Sequence, residues 1–84
     1  MFGNSPRALT VGEFARRVGT TSRRIEWWGE RGFITVEGVG NGPGSRRRIP
    51  ASELRVVSRV LELIEQYGVR ASGRLFEVAR CEVE

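Results

Sequence analysis

Apolar residues recur at helical spacing in the first third of the chain, where Val11, Phe14, Ala15 and Val18 form one stripe. Its start is well marked. Thr10 can cap, Glu13 three residues later completes a capping box, and Leu9 can staple onto Phe14. Gly19 supplies the left-handed turn that stops this helix. A second helix follows, capped by Thr20 or Thr21, running to about Arg31 and stopped by Gly32, with Ile25 and Trp28 facing inward. The pattern then changes. Phe33-Ile34-Thr35-Val36 reads as a strand, residues 38–44 are too rich in glycine for helix, and Ser45 to Ile49 reads as a return strand. Together they predict a β-hairpin over 33–49.

Pro50 blocks helix before it and can open one after it. From Ser52 to Tyr67 two neighbouring stripes run together: Leu54, Val57, Leu61, Ile64 and Val56, Val60, Leu63, Tyr67. A face this wide implies burial on more than one side, as for a helix that organises the core. Gly68 ends it. A last helix, within 70–81, offers Ala71, Leu75, Val78 and Cys81 to the core, with Gly73 inside it as a weak point. The expected organisation is a flexible arm over 1–8 and one domain over 9–84. That domain divides into a helix-turn-helix (9–34), a hairpin (33–49), a core helix (52–67) and a C-terminal helix (70–81). The fold class is mainly α with a small β-hairpin, a winged helix-turn-helix.

Charge adds a function to this outline. The 84 residues carry a net charge of +4, and all 14 basic residues are Arg. A guanidinium fork suits phosphate and guanine edges, although codon bias in a GC-rich genome gives the same excess. Position says more: Arg16/Arg17, Arg23/Arg24 and Arg46/Arg47/Arg48 all lie in the first 50 residues, whereas most Glu residues lie from Glu53 onward. The basic half therefore coincides with the helix-turn-helix and hairpin.

In a helix-turn-helix, the N-terminal residues of the second helix approach the bases. Here they are Thr21, Ser22, Arg23 and Arg24, then Glu26 and Trp27 one turn on. Trp27 and Trp28 lie about 100° apart on a helix and cannot share a role. Trp28 falls on the core side, while Trp27 either meets a phosphate or forms a rim over the hairpin. The expected DNA-binding set is Arg16, Arg17, Thr21, Ser22, Arg23, Arg24, Glu26, Trp27, Arg46, Arg47 and Arg48. If 46–48 is a strand, Arg47 points opposite to its two neighbours.

Enzymatic chemistry is not expected. The chain has no His and a single Cys, Cys81, so no nucleophile–base pair, metal-ligand spacing or disulfide can be drawn. The glycine-rich segment lacks the Lys and Ser/Thr of a nucleotide-phosphate loop. No catalytic residue, metal or cofactor is expected. Lacking an apolar run at its start or anywhere of membrane-spanning length, the chain is expected to be cytoplasmic and nucleoid-associated, with no membrane partner.

Thr10-Val11-Gly12-Glu13-Phe14-Ala15-Arg16-Arg17-Val18-Gly19 and Arg23-Arg24-Ile25-Glu26-Trp27-Trp28-Gly29-Glu30-Arg31-Gly32-Phe33 resemble the MerR-type winged helix-turn-helix regulators. The likeness spans Leu9 to about Gly68. It implies that Arg23 enters the major groove, that Trp27 meets the backbone, and that the wing arginine is Arg47, counting back from Leu54. The chain departs from the pattern in several places. Glu26 stands where the family has Arg, which removes a phosphate contact or adds a base acceptor. The wing is longer, and Pro50 takes the place of a capping Ser/Thr. Ending at Glu84, the chain leaves no length for the family's coiled coil and effector segment. Two functions are therefore expected. One is a small transcriptional regulator binding specific double-stranded DNA. The other is an excisionase-type recombination directionality factor that fills sites side by side and bends DNA. Either would self-associate on DNA, as a dimer or a head-to-tail array, with RNA polymerase or an integrase as protein partner.

Overall fold

Thr10 opens the helical part of the chain. In the computed structural model, which describes residues 8–38 and 47–83, its Oγ1 accepts the Glu13 N–H at 3.1 Å while Glu13 Oε1 accepts the Thr10 N–H at 3.4 Å. The capping box is therefore complete, and helix α1 runs Val11–Val18. Gly19, at φ 84°, closes it by returning its N–H to the Ala15 carbonyl. A side chain at that φ would crowd the backbone, so the short turn depends on glycine. Thr21, not Thr20, caps helix α2, Ser22–Glu30, through Oγ1 and the Arg24 N–H at 3.2 Å.

Among the described residues the protein is mainly helical, with four helices and a small two-stranded antiparallel sheet. Strand β1 is Ala8–Leu9 and strand β2 is Ile49–Pro50, with Leu9 opposite Ile49. This corrects the expected pairing. Residues 33–36 form no strand, and β2 pairs with the chain before α1. The expected hairpin survives as one antiparallel bridge, Glu37 to Arg48, with both N–H···O bonds at 2.7 Å. Phe33 and Ile34 are drawn into the core, and the Thr35 N–H bonds to a carboxylate, so neither side of this segment is free to form a ladder. Ala8, expected in the arm, belongs to β1. The remaining arm residues, the glycine-rich tip and Arg46 lie outside the described residues.

Helix α3, Glu53–Tyr67, is the central element, and Val56, Val57, Val60 and Leu63 are buried along it. The second expected stripe stops short: Tyr67 is 66% exposed. Helix α4 is Gly73–Val83, preceded by Ser72, whose Oγ accepts the Leu75 N–H at 3.2 Å. With the start fixed there, Gly73 opens the helix and Ala71 lies before it. The buried face is Phe76 and Ala79, with Leu75 at its edge. Val78 is 43% exposed and Cys81 is exposed, contrary to expectation. Phe76 takes the inward position because its ring meets two others: Trp28 edge-on at 5.1 Å and Phe33 at 5.2 Å between centroids.

Candidate nucleic-acid interface

The two short helices bring their N-termini together. A β-carbon on Gly12 would lie 3.9 Å from Ser22 Oγ, so the first turns of α1 and α2 are neighbours. Ile25 and Trp28 anchor α2 in the core, which leaves Arg23, Glu26 and Trp27 exposed on one face. Spacings of three and four residues put these side chains in register along the helix. Trp27 is 46% exposed, and the Arg31 guanidinium stacks 4.5 Å from its ring centre. Sequence reading passed over Arg31, although its position one turn after Trp27 was the available signal. The stack steadies a large exposed ring and adds a cation beside it.

Arg24 faces elsewhere. Its guanidinium carbon sits 5.4 Å from the Trp28 ring centre, over the groove between α2 and α3. There it lines a concavity of about 260 Å³ with Trp27, Ile64, Val69 and Arg70. Arg70, in the loop between α3 and α4, was not anticipated as a neighbour because it is 46 residues away in sequence from Arg24.

A second concavity, of about 280 Å³, separates α2 from the 36–38 and 47–48 segments and is lined by Glu26, Gly29, Glu30, Val36 and Arg47. Arg47 is half-buried there beside two carboxylates, whereas Arg48 is exposed. Adjacent residues point apart, as an extended segment requires, and Arg48 is the outward one. Gly29 sets the width of this cleft. A β-carbon there would stand 2.7 Å from Val36 Cγ2, so only glycine allows the segment leaving α2 to fold back so closely. Arg16 and Arg17 are exposed in the last turn of α1, where they also complement the helix dipole. Thr21 Oγ1 accepts the cap hydrogen bond from the Arg24 N–H, and Ser22 is exposed beside it.

Ion pairing engages two arginines among the described residues, Arg59 and Arg80. Among the described residues, the salt bridges are Arg59 with Glu62, Arg59 with Glu82, and Arg80 with Glu53. All three lie in the α3–α4 half. The pKa of Arg59 is raised, first by its hydrogen bond to Glu82 and then by that to Glu62. By contrast Arg16, Arg17, Arg23, Arg24, Arg47 and Arg48 have no carboxylate partner among the described residues. Glu53, Glu62 and Glu82 pair with Arg59 and Arg80, while Arg31, Arg55, Arg70 and Arg74 are, like these six, without a salt bridge among the described residues. No helix of the described residues is long and apolar enough to cross a membrane.

Compared with known proteins, the chain matches no family model, no curated protein and no solved structure.

Proposed function

We propose that this protein binds double-stranded DNA, reading a specific site with the exposed face of α2 and gripping the backbone with the 47–48 segment, as a winged helix-turn-helix regulator would. The reading rests on one observation: six arginines around α1, α2 and the Glu37–Arg48 bridge lack carboxylate partners among the described residues. Guanidinium groups gathered around two short helices and one bridge, with no carboxylate paired to them, favour an external anion, and a duplex presents one at regular spacing. The neighbouring N-termini of α1 and α2 add the positive ends of two helix dipoles to the same side.

Arg23 takes the base-reading role in this scheme, because an arginine can bridge guanine O6 and N7. Trp27, with Arg31 stacked on it, flanks the backbone. Arg48 and Arg47 divide the second contact, the former toward phosphate and the latter in the cleft beside Glu26. Binding of a labelled duplex by the purified chain, followed by fluorescence anisotropy across a salt series, tests the reading. Four neutralised phosphates give a slope of log K against log salt of about −3.6. No binding at low ionic strength refutes it. A footprint on a selected site then separates the two biological settings. An inverted repeat fits a regulator acting as a two-fold dimer, and direct repeats filled cooperatively fit a recombination directionality factor.

A further inference from the structure

Glu53 is 3% exposed at the first turn of α3, and each of its carboxylate oxygens has a different partner. Oε2 accepts the backbone N–H of Thr35 at 2.8 Å, and Oε1 accepts from Arg80 Nη1 at 2.8 Å. Arg80 uses Nη2 to hold the Phe33 carbonyl at 3.1 Å. One ion pair thus grips two backbone groups of the segment that leaves α2. One turn earlier on α4, Phe76 holds the Phe33 ring of that same segment.

We propose that Arg80 and Glu53 are positioning residues, through which α4 sets the placement of the arginines at 47–48 without touching the ligand. The path is continuous. Glu53 fixes the Thr35 N–H, Val36 lies against Gly29, and Glu37 is bridged through both of its backbone groups to Arg48. A slip of one residue at Thr35 would turn Val36 away from the cleft and move the bridge partner of Arg48. An ion pair with a buried carboxylate is a poor way to gain stability, since apolar residues of similar volume often do as well. What it offers here is geometry: the carboxylate is satisfied only when the backbone donor at Thr35 and the fork of Arg80 are both in place.

The inference rests on the proposed duplex binding, and its test has one arm that does not. In the first arm, amide exchange is followed on the full chain with Arg80→Met. The N–H groups of Thr35, Glu37 and Arg48 are expected to exchange at least tenfold faster, with Phe14 and other α1 amides unchanged. A rise shared by every amide, or none at the three, overturns the inference. If Arg80→Met does not fold, Arg80→Lys carries the comparison. It keeps a charge opposite Glu53 but loses the fork, so a smaller rise confined to the same three amides is expected. In the second arm, the variant should bind all duplexes about tenfold more weakly and lose about one from its salt slope. Discrimination between the selected site and a mismatched one should be unchanged. Loosened amides with an unaltered slope overturn the inference. A wild-type chain that binds no duplex refutes the proposed function, and the exchange arm still decides whether the clamp exists.

Discussion

Phe76 is the largest side chain that α4 buries, and Phe76→Ala measures what its ring contributes. Phe76 is 2% exposed, edge-on to Trp28 at 5.1 Å and tilted against Phe33 at 5.2 Å. Burying a phenylalanine removes at least about 150 Å² from water. At about 25 cal/mol per Å² that is worth about 4 kcal/mol. Incomplete collapse around the vacated space keeps the expected loss at about 3–5 kcal/mol, the usual span for Phe→Ala in a core. For a chain of this size each kcal/mol moves the thermal midpoint by about 4–8 °C, so a fall of at least about 12 °C is expected. Val78→Ala is the control. Its side chain is 43% exposed on the same helix, and a change within about 0.5 kcal/mol is expected. Urea and thermal melts followed by circular dichroism read both. Equal losses for the two variants, or a loss at Val78 exceeding that at Phe76, would mean that α4 packs in another register and refute the reasoning.

Gly29→Ala sets a gain in helix propensity of about 1 kcal/mol against a β-carbon 2.7 Å from the stiff Val36 side chain. A net destabilisation is expected, with proton chemical shifts moving at Val36 and Glu37 before any in α1; a more stable variant contradicts the close approach. Thr10→Ala should cost about 1 kcal/mol, seen as a lower urea midpoint with unchanged slope. Arg23→Ala should weaken binding to the selected duplex more than to random DNA, whereas Arg48→Ala should weaken both alike and flatten the salt dependence; equal behaviour of the two variants would remove the distinction between reading and gripping. Because its folded-state pKa lies above the ordinary arginine value, any stabilisation from Arg59 is complete below that value and fades only as pH rises beyond it. The gap in thermal midpoint between wild type and Arg59→Ala should therefore stay constant through the neutral and mildly alkaline range, and a gap that closes there would contradict the pairing.

Local chemistry was enough to define the short helices. The Thr10–Glu13 capping box, the Gly19 and Gly68 stops and the inward Ile25 and Trp28 all depend on residues within a turn of one another, and the sequence displays them directly. The exposed face carrying Arg23, Glu26 and Trp27 follows from the same spacing once Trp28 is taken inward. Other features depended on contacts distant along the chain. Leu75, Phe76, Val78 and Ala79 offer two apolar faces one residue apart, and only the rings of Trp28 and Phe33 select Phe76. Periodicity alone picked the neighbouring face, of which Ala71 and Leu75 pack against the core and Val78 and Cys81 do not. Residues 33–36 have the composition of a strand, yet their backbone and side chains are taken by Glu53, Arg80 and the core. Strand β2 consequently finds Leu9, some 40 residues earlier, as its neighbour.

The amino-acid order by itself determined where α1, α2 and α3 begin and end and which arginines gather in the basic half, since capping, glycine stops and charge are written residue by residue. The tertiary structure decided which apolar face of α4 is buried, which strands pair, and which arginines are neutralised. Those outcomes rest on side chains that meet only after folding. A carboxylate such as Glu53 is indistinguishable in sequence from one in solvent until Thr35 and Arg80 close around it.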